Sequence, residues 1–261
     1  MKRLGLAIVL AVSACTAAPE GVTVTVLDVI DGDTIRVLSN GSLEDVRLVG
    51  INSPEWVECQ GPEAAAALEE MLERDRARLV VDTSDRDQYG RLLRLVFSEG
   101  DFVNESLVRA GLAIAFSVPP DVSAANLLSR AEESAERSWA GIWDPSACGP
   151  PPPPGITIEG IHSGAGWTGE PIDGESAVIR NIGASAIELT DWTLRDASSH
   201  HRYRFPALVV EGGGRVVIET ACGSDRPDRL HWCSDSPVWN DARDHAFLLD
   251  IHGNIASHLR Y

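Results

Sequence analysis

Beyond its second residue the chain contains no lysine: Lys2 is the one lysine among 261 residues, and every other basic group is arginine. Positive charge is scarce altogether, with 22 Lys and Arg against 39 Asp and Glu and a net charge of −17. Losing Lys2 and Arg3 with a leader makes it −19 (−17 − 2). A surface this acidic repels polyanions at long range, which excludes capture of nucleic acid by a diffuse basic face. Such a partner has to be held by a local cluster, a bound metal, or both. Arginine as the sole mature cation suits bidentate contacts to phosphate. Long apolar runs are also missing: after Cys15 no segment is long and apolar enough to span a bilayer.

The start of the chain has the layout of an export signal. "MKRLGLAIVLAVSAC" has a basic opening, an apolar run from Leu4 to Val12 and small residues before Cys15, which suits a leader and not a membrane span. Its ending, "VSAC", resembles a bacterial lipobox, implying a signal peptide over 1–14, a lipidated Cys15 and an anchoring linker over 15–21. The expected location is the bacterial cell envelope, as a membrane-anchored lipoprotein held through Cys15, or outside the cell if secreted. Cys59, Cys148, Cys222 and Cys233 then remain in an oxidising compartment, where disulfides are expected. Four cysteines allow three pairings, and separation along the chain favours Cys59 with Cys148 and Cys222 with Cys233. A zinc site from Cys222, His231 and Cys233 is the competing use, though poorly spaced for it.

"CGPPPPPG", with prolines at 150–154, divides the chain as a semi-rigid spacer over 149–155. Upstream, 22–29 and 34–38 alternate like strands, "SNGS" is a hairpin turn, and 45–51 supplies a third strand. "GPEAAAALEEMLERDRARL" carries Leu68, Met71, Leu72 and Leu79 on a helical period. Strands at 79–83 and 91–97 follow, then helical patterns in "VNESLVRAGLA" and "SAANLLSRAEESAERSW". Five strands with a helix after the third predict a small closed barrel of the OB type over 22–148, mainly β with helices. Downstream, 156–261 has no stretch of helical length; its short alternating runs and Gly, Asn and Asp turns predict a β-sandwich. Trp167, Trp192, Trp232 and Trp239 are expected to serve its core and loops.

The chemistry concentrates in "DGDTIRVLSNGSLEDVRLVGINSPE", residues 31–55. Hairpin geometry can bring Asp31 and Asp33, at the entrance of one strand, beside Glu55, which follows the next. Carboxylate oxygens suit a hard cation such as calcium. Arg47 belongs to the same hairpin and Arg91 follows the turn "DQYG". Two arginines beside a carboxylate-bound cation receive a phosphate whose charge grows during attack. Glu55 near a metal-bound water can act as general base.

"VIDGDTIRV", "VRLVGINSPE", "GPEA", "DQYGRLLRLVF" and "VNESLVRAGLA", in that order over about residues 22–144, resemble the staphylococcal nuclease (thermonuclease) family. The resemblance implies an OB-fold, calcium-dependent hydrolase of DNA and/or RNA that leaves 3′-phosphate ends. It puts Asp33 on a calcium ligand, Arg47 and Arg91 on the phosphate-binding catalytic arginines, Glu55 on the general base, Asp31 in outer-shell support and Tyr89 on a substrate-phosphate contact. There are three departures from the family. Asn52 stands where a second ligating aspartate is usual; its amide oxygen can coordinate with one charge fewer, so another divalent ion is an alternative to Ca2+. Phe116 and Val118 replace two pocket tyrosines, which keeps base stacking at Phe116 and removes it at Val118. The loop after Glu55 is short and carries Cys59 in place of lysines, which weakens electrostatic capture of DNA.

Residues 156–261 resemble a lamin-tail domain, an immunoglobulin-like sandwich, through "NIGASAIELTDWTLRD", "RYRFP", "VVEGGGRVVIE" and "VWNDARDHAFLLDIHGNIASHLRY". Asp191 and Trp192 are expected in a turn and the core, with Trp239, Asn240 and Asp244 bracing the loop before "AFLLD". This half has nine arginines against fifteen Asp and Glu, which disfavours DNA binding and points to an envelope partner or to a spacer. The combined expectation is an exported, monomeric, metal-dependent nuclease. The alternative is a catalytically weak nucleic-acid-binding or scaffold protein of the cell envelope.

Overall fold

The computed structural model describes residues 21–72, 76–163, 174–198, 200–239 and 245–261. The leader, Cys15, Trp167, Asn240 and Asp244 lie outside the described residues. Strands β1 (Val22–Asp31), β2 (Thr34–Ser39) and β3 (Ser42–Leu48) form a meander. It turns at Asn40 and Gly41, with φ of 50° and 81°, the two-residue geometry that Asn-Gly adopts at little cost. Next come β4 (Ile51–Asn52), α1 (Gly61–Met71), β5 (Arg76–Val80), β6 (Leu92–Ser98) and β7 (Asp101–Phe102). Then follow α2 (Val103–Arg109), β8 (Ile114–Ala115), α3 (Ala125–Arg137) and a 3-10 turn at Gly141–Trp143.

The sheet order β3-β2-β1-β5-β6-β7 closes on itself because β3 also pairs with β6, Val46 opposite Leu92. Five strands thus make the expected OB-type barrel. Ile35, Val37, Val46, Leu48 and Val96 fill its interior, capped by Leu68, Leu107 and Leu128 from the three helices. The expected helical period and the strand expected over 79–83 overlap at Leu79, and the strand prevails: α1 stops at Met71, and Leu79 lies in β5, which begins at Arg76 and ends at Val80. Ala77 and Leu79 are buried at alternate positions and β5 is paired on both sides, with β1 and β6. Two ladders and a period-two buried face override the local helical pattern.

The second half is all strand among the described residues: β9 (Ile156–His162), β10 (Ser176–Asn181), β11 (Ile187–Glu188), β12 (Thr193–Arg195) and β13 (Arg202–Arg204). β14 (Val209–Val210), β15 (Arg215–Glu219), β16 (Arg229–His231), β17 (His245–Leu249) and β18 (Ile255–Arg260) complete it. Sheets β16-β15-β10-β9 and β13-β12-β17-β18 share a core of Ile179, Leu189, Phe205, Trp239 and Leu248, consistent with the immunoglobulin-like sandwich. Trp192 and Trp239 are buried, and Trp232 meets Trp239 edge-on at 6.0 Å. Both disulfides form as expected, Cys59–Cys148 and Cys222–Cys233, so the thiols of the zinc alternative are tied up.

The halves are packed against each other and not merely strung together. Ile114, Ala135, Ile142 and Trp143 meet Ala197 and Phe247 in one buried cluster. Beside it, Arg260 of β18 pairs with Glu136 at 2.9 Å and with Glu132 at 3.2 Å. His258 Nε2 lies 2.9 Å from Glu136, and His245 Nδ1 lies 3.7 Å from Glu132.

Burial outweighs the Arg260 guanidinium and pushes the Glu132 carboxyl from 4.5 up to about 7. Burial, reinforced by Arg260, pushes His245 from 6.5 down to about 3. Folding therefore takes up a proton at Glu132 and loses stability as pH rises from 4.5 to about 7, while His245 loses stability as pH falls from 6.5 to about 3. Between 4.5 and 6.5 the two slopes oppose each other. Glu132→Gln keeps an acceptor for the Ala115 N–H and removes the upper limb. Its stability relative to the wild type is expected to improve by about 3 kcal/mol between pH 4.5 and pH 8. Urea unfolding at several pH values checks this, and parallel curves would contradict it.

Candidate active site

"DGD" places its two carboxylates at the β1–β2 corner because Gly32 lets the backbone press against neighbouring structure: a Cβ there would lie 2.5 Å from Ala64 Cβ and 2.8 Å from Ser53 Cβ. Asp31 Oδ1 accepts the Asp33 N–H at 2.9 Å, fixing the turn. Asp33 is buried; its Oδ2 accepts the Ser53 N–H at 2.8 Å, and its Oδ1 lies 3.0 Å from Arg47 Nε. The corner of one hairpin and the loop after β4 are thus clamped together through a single carboxylate.

Arg47 faces this corner because β3 sets it opposite Thr34, next to Asp33. Its guanidinium also donates to the Leu48 carbonyl and, at 3.0 Å, to Asn52 Oδ1. Arg91 is anchored separately: Asp87 accepts its Nε at 2.7 Å and its backbone N–H at 2.9 Å. Glu55 is exposed on the loop between β4 and α1, with its N–H donated to Glu58 at 2.8 Å. That loop folds tightly onto the helix start, since a Cβ at Gly61 would lie 2.0 Å from the Glu55 carbonyl oxygen.

One cleft of about 740 Å³ gathers these groups: Asp31, Asp33, Arg47, Asn52, Glu55 and Arg91 all line it, as do Tyr89, Phe116 and Val118. Every candidate residue read from the barrel's sequence is therefore brought together. Missed were Ser198 and His200, which line the same cleft from the sandwich. The only signal was a histidine pair in the "SSHHR" turn.

Burial, and then the charge of Asp33, pushes the Asp31 carboxyl up to about 6. Two crowded carboxylates with an amide oxygen, and no sulfur donor, fit a hard divalent cation. Among the described residues no three His, Cys, Asp or Glu side chains form a metal-holding group; Asp33 and the Asn52 amide, with Asp31 accepting the Asp33 N–H beside them, are the oxygen groups that would hold such an ion. Asn52 has a further task. Its Nδ2 donates to the Ala197 carbonyl of the sandwich at 3.1 Å, a bond that an aspartate carboxylate cannot make.

Comparison with known proteins finds relatives of both halves. The family described as Staphylococcal nuclease homologue matches residues 45–145, and Lamin Tail Domain matches residues 150–261. The thermonuclease of Staphylococcus intermedius is 34% identical over 131 residues, which is 48% of this chain and 78% of that protein. The SPbeta prophage-derived endonuclease YokF of Bacillus subtilis (strain 168) is 34% identical over 132 residues, 48% of this chain but 45% of its own length. Endonuclease YncB of the same strain is 34% identical over 133 residues, 48% of this chain and 63% of its own. The chain thus spans less than half of one relative and less than two thirds of another, while it spans more than three quarters of the thermonuclease. With that coverage, the chain belongs through its first half to the staphylococcal nuclease homologue family.

Proposed function

We propose that the protein is a phosphodiesterase acting on DNA and/or RNA. The observation that carries this reading is the convergence of Asp33, Arg47, Glu55 and Arg91 on one cleft. Arg47 and Arg91 receive the non-bridging oxygens of the scissile phosphate, and their charge stabilises the pentacoordinate state as negative charge develops. Glu55, exposed at the cleft, takes the proton of the attacking water. Tyr89 contacts a phosphate, and Phe116 offers a face on which a base can stack. Asp33 and Asn52, supported by Asp31, would hold the divalent cation, Ca2+ in this proposal, whose charge supports the phosphate and lowers the pKa of water bound to it. Export through the leader and anchorage at Cys15 belong to the same proposal, and they place the substrate outside the cytoplasm.

Incubating the wild type with a single-stranded oligonucleotide and Ca2+ is expected to yield fragments ending in 3′-phosphate, with EDTA stopping the reaction. Glu55→Gln is expected to lower kcat by about 10²- to 10⁴-fold. No cleavage by the wild type across a series of divalent ions would overturn the proposal.

A further inference from the structure

The sandwich touches the barrel at or beside the cleft at three places. Ala197 accepts the Asn52 amide at 3.1 Å, Arg202 pairs with Glu58 of the Glu55 loop, and His200 Nε2 lies 3.3 Å from the Tyr89 hydroxyl. The His200 turn is itself fastened. Asp196 is buried and accepts the Ser198 N–H and Oγ–H at 2.9 and 2.7 Å, its other oxygen lies 2.8 Å from His201 Nδ1, and Ser198 Oγ accepts the His200 N–H at 3.2 Å. These bonds hold the His200 N–H and the neighbouring His201, and the His200 ring meets the Tyr89 hydroxyl.

From Arg91 a row of polar groups runs outward along the cleft wall. The Arg91 guanidinium carbon lies 5.5 Å from the Tyr89 ring centroid, Tyr89 is 63% exposed, and its hydroxyl meets the exposed His200. Guanidinium, phenol and imidazole all donate to phosphate oxygens. A chain with no lysine after Lys2 and a strongly acidic balance needs such local donors to keep a polyanion in place.

Resting on the nuclease reading above, we propose that the sandwich is a working wall of the cleft and that its His200, together with Tyr89, holds the phosphodiester adjacent to the one being cleaved. His200 is then a substrate-positioning residue supplied by the second half of the chain. The lamin-tail-like domain becomes part of the enzyme and not a tethered accessory.

The test is steady-state cleavage of a single-stranded oligonucleotide by full-length wild type, His200→Ala, His200→Gln, Tyr89→Phe and the His200→Ala/Tyr89→Phe pair. Losing a hydrogen bond to a charged phosphate is expected to raise KM about tenfold in His200→Ala, with kcat within about twofold of wild type. His200→Gln, which keeps an N–H donor, is expected to recover most of that loss. The pair is expected to be less than additive, because both side chains serve one phosphate. His200 is exposed, so the thermal midpoint of His200→Ala is expected to stay at the wild-type value. Wild-type KM in His200→Ala, or a loss that glutamine does not rescue, overturns the positioning role while leaving the nuclease reading intact. No cleavage by the wild type overturns both.

Discussion

Arg91→Ala is expected to lower kcat by about 10³-fold while leaving the folded protein as stable as before. The size follows from where the guanidinium sits. It lies on the cleft wall with its Nε and backbone N–H both committed to Asp87, so it is held in place before charge develops on phosphate. Donors arranged in advance are worth about 10²- to 10³-fold each at an oxyanion, and arginines on a transferring phosphoryl group reach about 10³-fold or more. Arg91→Lys is expected to recover little, because an ammonium cannot both pair with Asp87 through an Nε–H and present a planar fork to phosphate. The stability should survive because the side chain is 32% exposed and its partner Asp87 is on the same turn. Single-turnover cleavage rates and thermal unfolding of the three proteins decide the matter. Equal rates for wild type and Arg91→Ala would remove Arg91 from the chemistry.

Replacing Cys59 and Cys148 together with serine is expected to cost roughly 4 to 5 kcal/mol of stability in the chain-entropy account. The bridge closes a loop with a sequence separation of 89, against 11 for Cys222–Cys233, for which the same account gives about 3 kcal/mol. The longer bridge also ties the loop that carries Glu55 to the end of the barrel half. Cys148 is anchored in turn by its N–H, donated to Asn254 Oδ1 at 2.8 Å. Urea unfolding of the two double-serine variants should rank them in that order. The reverse order would mean that the bridges act through native packing and not through the unfolded chain.

The barrel was legible because its signals are local. An Asn-Gly turn between alternating runs fixed β2 and β3, and glycine between two aspartates marked the corner where Asp31 and Asp33 lie. The strand expected over 79–83 runs over 76–80 instead, for a physical reason: Arg76 and Arg78 look helical beside α1, and only pairing with β1 and β6 makes them a strand. The barrel's share of the cleft followed from spaced motifs within one hundred residues. The sandwich's share did not. His200 is 111 residues from Tyr89, and Ala197 is 145 from Asn52. Neither contact leaves a periodicity or a turn signature, since a backbone carbonyl can belong to any residue. Asn52 shows the same limit: its amide identity was visible, but its bond to a distant carbonyl was not.

The proline run carries one more consequence. Its start is caught by Asn254, whose Nδ2 donates to the Pro150 carbonyl at 3.0 Å, and its far end by the Gly155 carbonyl, which accepts the Ile182 N–H at 2.7 Å. Both anchors lie in the sandwich, so the run is laid along that half and is not a free tether between the two. Extra residues inserted there would loop outward and add no reach, because the halves already meet through Ile142, Trp143, Ala197 and Phe247.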